Sequence, residues 1–268
     1  MNRNSSVLGI VTHYECEEYL PIAIASLINQ THPLTNIVVV DDASPKSPID
    51  IVSRFPAVTL LRSSKNVGPF ALIQNIVDTT NYNAYLQQDA DDWSSKERLA
   101  LSLDLAAMTG AGIIGTHQVN IGQREGGLRQ ELIEHPEDAG RAYRENAAGW
   151  YMTWGTTLCS RDLFRDLGGL ATGLRLEADS DFFRRACFIS KMLNVPEFCY
   201  FRRLRPQSLT QGKATGHQSA ERLREREQSF MQLHANVEAL KRGDPIDLQP
   251  LSRIPAVTLK HEAGPLLS

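Results

Sequence analysis

Cysteine is sparse. The four residues Cys16, Cys159, Cys187 and Cys199 form no CxxC pair and no zinc-ligand spacing, so neither a structural zinc nor a disulfide framework organises this chain. Reduced, buried thiols in a reducing cytoplasm are the expected state. Long apolar runs are also missing: nothing approaches the roughly 20 residues of a membrane span. The opening run Val7 to Val11 is too short for the hydrophobic region of a signal peptide. Basic blocks are absent too. The net charge is −3, and the arginine-rich stretch Arg222 to Arg226 is broken by Glu225, so the electrostatic footprint of a nucleic-acid binder is lacking. The seven histidines make no HxH or HxxxH pair and read as surface or satisfied core residues; His13 lies near the candidate site without an assigned role.

What is there is an alternation of strand and helix signals. Val7 to Val11, Ile37 to Val40, Val58 to Leu61, Ala84 to Leu86 and Gly112 to Gly115 are short apolar runs, as expected of strands buried on both faces. Between them lie helical patterns: Leu20, Ile24, Leu27 and Ile28; a short helix near Ile49 to Arg54; Phe70, Ile73, Ile76 and Val77; and Lys96 to Met108. This order predicts an α/β fold with a mostly parallel, doubly wound, Rossmann-like sheet flanked by helices. Residues 1–120 form the expected first half, and residues 121–215 a smaller second half whose first stretch, Ile121 to Gly149, is polar with weak periodicity. The second half carries a helix from Arg161 to Leu167, another from Asp179 to Met192 and a strand from Val195 to Leu204. Residues 216–242 hold a C-terminal helix with a seam of Leu223, Phe230, Leu233, Val237 and Leu240, suited to docking on the same chain or pairing in a homodimer. The proline-containing residues 243–268 read as an extended, partly disordered tail.

In such sheets ligands gather at the carboxyl ends of the strands. Three polar clusters fall there: Thr12-His13-Tyr14, Asp41-Asp42 and Asp89-Ala90-Asp91-Asp92. Three carboxylates within four residues repel one another unless a cation intervenes. Mg²⁺ and Mn²⁺ take oxygen ligands and commonly pair one or two carboxylates with substrate phosphate. Alternation in extended backbone would aim Asp89 and Asp91 to one side. The plainer reading is an acidic turn in which one Asp caps the next helix through Ser94 or Ser95; placement after a fourth strand favours the metal. Asp42 could accept hydrogen bonds from a base or ribose, or serve an Asx turn with Ser44. Trp150 and Trp154 could stack on a sugar ring, although core packing is the commoner role of such residues.

Taken in order, Val11 to Tyr14, Ser26 to Gln30, Val40 to Ser44, Asn66-Val67-Gly68, Ala71 with Asn75, and Gln88 to Asp92 resemble the family 2 glycosyltransferases of GT-A fold. Glu177 to Arg184 looks like the family's Glu-Asp motif, and Arg202-Arg203 through Ser208 to Thr210 like its closing loop. The resemblance implies an inverting transfer from a nucleotide-diphospho sugar, most commonly a UDP-sugar, to an acceptor hydroxyl. It implies Thr12, Tyr14, Asp42, Lys65 and Asp89 around the nucleotide, and Asp89 and Asp91, with Asp92 also in range, on Mn²⁺ or Mg²⁺. It further implies Arg203 and Ser208 on the diphosphate and Asp179 as general base. A saccharide or lipid-linked saccharide acceptor, a bacterial cell-surface polysaccharide and peripheral contact with the inner membrane are expectations of the same kind.

The sequence departs from the pattern at two points. Thr12-His13-Tyr14-Glu15 replaces Pro-Thr-Tyr-Asn, and Ala178 stands where the acid before the base is usual, with Glu177 one place earlier. Glu177, Asp179 and Asp181 therefore all remain candidates for the base, and a binding protein without catalysis remains an alternative. A nucleotidyltransferase that makes nucleotide sugars would need an early Gly-rich basic loop, which Thr12 to Glu15 lacks.

Overall fold

The structure, a computed structural model, describes residues 1–124, 127–146, 149–206, 208–212 and 214–267. The first half follows the predicted alternation: β1 (Val7–His13), α1 (Leu20–Ile28), β2 (Asn36–Asp41), α2 (Ile49–Val52), β3 (Val58–Ser63), α3 (Pro69–Thr79), β4 (Ala84–Asp89), the two-residue β5 (Trp93–Ser94) and α4 (Arg98–Thr109). The second half comprises β6 (Ile113–Arg124), β7 (Gly127–Ile133), α5 (Ala139–Glu145), a single 3-10 turn at Trp154–Thr156, β8 (Leu158–Ser160), α6 (Arg161–Asp166), α7 (Ala178–Ala186), β9 (Met192–Leu204), α8 (Ala220–Arg242) and β10 (Leu259–Ala263).

One sheet runs through the molecule in the order β10-β3-β2-β1-β4-β8-β6-β9-β5, with β7 hairpinned onto β6. β3, β2, β1 and β4 are mutually parallel. β8 is antiparallel to both β4 and β6, so β6 points the same way as β4, and β9 runs parallel to it. Residue parity along the strands divides the core. Leu8, Ile10, Val38, Val40 and Tyr85 face the layer of α3, α6 and α7. Val7, Val11, Ile37, Val39, Ala84 and Leu86 face α1 and α4. Period-two alternation puts apolar side chains on both faces, which is why these strands read as unbroken apolar runs.

Ile121 to Gly149, polar and weakly periodic in sequence, holds the end of β6, β7 and α5; β7 is solvent-exposed along most of its length, so no apolar alternation marks it. Three expectations are corrected. The helix expected to reach Met192 ends at Ala186, and Met192 already pairs with Ile113. The tail is extended, but it is built into the sheet: β10 pairs antiparallel with β3 and closes that edge, and Val257 is buried. The C-terminal helix docks on its own chain against α7, using Arg222, Glu225, Ser229, Leu233, Asn236 and Ala239. Leu223 and Leu240 of the expected seam are exposed.

Candidate active site

The strand order brings the predicted clusters together. Thr12 is in register with Val40 on one side and Asp89 on the other, and His13 with Asp41. His13 and Asp41 are buried and hold the floor. The His13 imidazole Nδ1 lies 2.9 Å from Asp41 Oδ1, its Nε2 accepts the Cys16 N–H at 3.3 Å, and the Ser44 hydroxyl donates to Asp41 Oδ1 at 2.5 Å. Asp42 faces the next loop and accepts the N–H groups of Val67 and Gly68, both at 2.8 Å. Burial nevertheless raises its carboxyl above the ordinary range, outweighing those two donors. Tyr14 is exposed on the same rim. Lys65 is exposed in the turn after β3, where its N–H donates to Ser63 Oγ at 3.3 Å.

Asp89 closes β4, but Asp91 and Asp92 lie in a turn rather than in extended backbone; the Asp92 N–H donates to Asp89 O at 3.2 Å. The alternation argument for aiming two carboxylates therefore does not apply; the turn itself clusters them. The capping alternative fails too, because the Ser94 hydroxyl donates to Gln88 Oε1 at 2.7 Å and α4 has no side-chain cap. Burial and the neighbouring Asp91 charge raise Asp89 to about 6, against the pull of Arg202 and the Tyr200 hydroxyl. Asp92 is 2% exposed, its Oδ1 accepting the Arg203 N–H at 2.7 Å. Asp91 Oδ2 takes Arg205 Nε at 2.6 Å. Among the described residues no group of three His, Cys, Asp or Glu could hold a metal ion. Two mutually repelling carboxylates do fit Mg²⁺ or Mn²⁺ when substrate oxygens complete the shell; Asp89 and Asp91 are the residues that would hold it.

Strand β9 supplies the opposite wall. Arg203 Nε donates to Asp91 O at 3.1 Å, and its guanidinium lies 4.5 Å from the Tyr19 ring centre and 5.1 Å from that of Trp93. It therefore braces the aspartate turn. Ser208 bonds Thr210 (3.2 Å), and Arg202 reaches the same Thr210 hydroxyl at 2.9 Å. Sequence reasoning missed Tyr200, Arg205 and Arg98. Tyr200 and Arg202 share a strand face by parity, a signal that was available. Arg98 was hidden inside a helix pattern. It is fully buried and donates to Gln87 O at 2.9 Å and Gly155 O at 2.7 Å, tying β4 to the 3-10 turn. Only a glycine fits that turn: a Cβ at Gly155 would stand 2.4 Å from the Tyr200 hydroxyl and 3.1 Å from Asp89 Oδ2.

The three acids of the second motif separate cleanly. Glu177 is buried and paired with Arg222 (3.2 Å) and Arg226 (2.9 Å). Asp181 is buried and paired with Arg185 at 2.5 Å. Asp179 is half-buried in the first turn of α7, its Oδ1 accepting the Ser180 N–H at 2.8 Å. Burial first, and the Glu177 charge second, raise it to about 7. One turn on, Phe182 packs edge-on against Trp154 at 5.7 Å, and Trp154 adjoins the Gly155 that faces Asp89. Trp154 is corrected as a sugar platform: its ring is enclosed by Phe70, Phe164, Phe182 and Phe183. Trp150 is 53% exposed and meets His217 edge-on at 4.9 Å.

The parallel sheet, the aspartate turn at the end of β4 and the acid-bearing helix beside it define a GT-A architecture. Residues 9–168 match the family model described as "Glycosyl transferase family 2". The chain belongs to that family. Similar solved structures include S. aureus TarS 1-349 in complex with UDP, with a TM-score of 0.63 and 19% identity over 87% of this chain and 65% of that one. The UDP-GlcNAc complex of TarS 1-349 gives 0.58 and 18% over 76% and 60%. The chain spans 43% of the TarS chain in its longer crystal structure. A sequence comparison with curated proteins finds no match. Among the described residues no helix is long and apolar enough to cross a membrane.

Proposed function

We propose that this chain is a glycosyltransferase that moves a sugar from a UDP-sugar to an acceptor hydroxyl with inversion at the anomeric carbon, assisted by Mn²⁺ or Mg²⁺. One observation carries the reading. Of the three acids in the 177–181 motif, Asp179 alone is half-buried and outside an arginine pair, and its helix packs through Trp154 against the turn that faces Asp89. That relation suits a base on the side of the sugar opposite its leaving diphosphate.

In this reading Thr12, Tyr14, Asp42 and Lys65 line the nucleoside end. Arg202, Arg203 and Ser208 gather around the diphosphate, where guanidinium groups suit phosphate oxygens. Arg205 releases Asp91 when the donor enters. Asp89 and Asp91 would hold the cation, which would supply Lewis-acid neutralisation of the leaving diphosphate. Asp179, raised to about 7, takes the proton from the acceptor hydroxyl as that oxygen attacks the anomeric carbon. The UDP-bound TarS neighbour supports a uridine nucleotide. An acceptor that is a saccharide or lipid-linked saccharide, and work at the inner face of a bacterial membrane, complete the proposal.

The test is a thermal-shift titration with UDP, with and without Mn²⁺. The intact chain should gain more from UDP when Mn²⁺ is present, and Asp91→Ala should lose that difference. An Asp91→Ala variant with an unchanged metal response would sink the metal assignment.

A further inference from the structure

Helix α8 lies outside the residues that match the family model, yet its first two turns aim charged groups inward. Glu225 is 8% exposed. Its carboxylate accepts three consecutive backbone N–H groups: Arg175 at 2.9 Å, Leu176 at 2.9 Å and Glu177 at 3.0 Å. These lead directly into α7, which has no side-chain cap of its own. A carboxylate there satisfies the N-cap N–H of Glu177 and the two N–H groups before it, and complements the helix dipole.

Arg222, 5% exposed, stands one turn earlier. It donates to Leu176 O at 2.9 Å and Glu177 Oε1 at 3.2 Å on the α7 side. On the other side it donates to Thr215 O at 2.9 Å and Leu209 O at 3.2 Å. Leu209 adjoins Thr210, which is bonded to Arg202, and the Arg202 charge bears on Asp89. One guanidinium thus touches both the loop beside the aspartate turn and the helix that carries Asp179. A helix that only anchored a terminus could do so with leucines, since buried ion pairs are a poor source of net stability. Rigid geometry is what such a network supplies.

We propose that Arg222 and Glu225 are positioning residues: Glu225 holds the segment that enters the Asp179 helix, and Arg222 ties that segment to the loop around Thr210, so that α8 sets where the base stands. This rests on Asp179 being the base. The charged and titratable groups facing Asp179 are Glu177 just before α7, Arg184 of α7, Tyr143 of α5 and Arg222 of α8; Glu177 opposes its ionisation, while Arg222 and Arg184 favour it.

The experiment uses the full chain in two measurements. The first is hydrogen exchange without added substrate on Arg222→Gln, Glu225→Gln and the milder Arg226→Gln, which removes only the second partner of Glu177. Arg222→Gln should speed exchange about tenfold in both the 175–181 and 209–212 segments, Glu225→Gln should do so in 175–181, and both should leave β1 unchanged. The second is UDP release from UDP-GlcNAc with water as acceptor. Arg222→Gln should lower kcat about tenfold with little change in donor KM, because misplacement of the base costs rate rather than binding. Its acid limb should move to higher pH, since a charge favouring ionised Asp179 is gone. Arg222→Lys keeps the charge and should keep the acid limb while kcat stays low. Arg226→Gln should fold and shift the limb in the same direction as Arg222→Gln. Unchanged exchange at 175–181 in both the Arg222→Gln and Glu225→Gln variants overturns the proposal whatever the activity. Wild-type kcat and acid limb in Arg222→Gln, with Asp179→Asn inactive, overturn the positioning role alone. Full turnover by Asp179→Asn overturns the base reading and this proposal together.

Discussion

Asp179 and Trp154 illustrate two opposite lessons at the scale of single residues. The motif around Asp179 offered three carboxylates, and periodicity could not separate them because their difference lies in which arginines occupy them, two of these on a distant helix. Arg222 and Arg226 that occupy Glu177 are on α8, whereas Arg185, which occupies Asp181, lies one turn along α7. Asp179→Asn should therefore keep donor binding and lose transfer by roughly 10²–10⁴-fold, the usual contribution of a general base; the measure is kcat alongside a UDP thermal shift. For Trp150 and Trp154, sequence gave the same aromatic character to residues four apart, while the fold gives them different surroundings. Trp154→Ala should cost about 3–5 kcal/mol of stability, because it empties a ring-packed core site. Trp150→Ala, at an exposed position, should change stability by about 0.5 kcal/mol or less and act, if at all, on acceptor KM. Paired denaturation curves decide: a larger loss from Trp150→Ala would contradict the packing described above.

Among the elements, the parallel strands were legible because burial on both faces writes an apolar run into the sequence. Elements that finish an edge or present one face to water were not. β7 exposes nearly every residue, and β10 joins the sheet through Leu259 to Ala263 after a proline-containing stretch that resembles a free tail. The C-terminal helix was found, but its docking face was misread: the buried positions carry arginine, glutamate, serine and asparagine alongside Leu233 and Ala239. Hydrophobic periodicity cannot report a polar seam. The β10 edge makes a specific prediction. Gly264 has φ +79°, and a Cβ there would stand 2.0 Å from Val58 O. Gly264→Ala should combine the left-handed backbone penalty of about 1–2 kcal/mol with a clash against main chain that cannot rotate away. Exchange of the β3 amides that face β10 should rise while those of β1 stay protected. Unchanged β3 protection would mean that the tail contributes nothing to that edge.

For the molecule as a whole, the site sets the pH dependence of the fold against that of the chemistry. Asp42, Asp89, Asp92, Asp179 and Asp181 are all raised, each chiefly by burial. A carboxyl whose folded pKa exceeds its unfolded value binds more protons in the native state between the two, so stability falls as pH rises through that window. For Asp179 the window runs from the ordinary 3.8 to about 7. His135, lowered to about 4 by burial, contributes the opposite slope below its usual value of 6.5. A comparison of two chains isolates the aspartate, because His135 is common to both. The wild-type Tm should fall relative to that of Asp179→Asn as pH is raised from 4 to 7, and the difference should level off above 7. Over the same interval kcat should climb, since only the ionised base accepts the acceptor proton, and its acid limb should centre near 7. The two curves share one titration with opposite signs: the proton that steadies the fold is the one that must leave for transfer to begin. A Tm difference independent of pH would remove Asp179 as the group with the raised pKa. An acid limb centred near 4, with the Tm difference intact, would leave that raised pKa in place and assign the base to another residue.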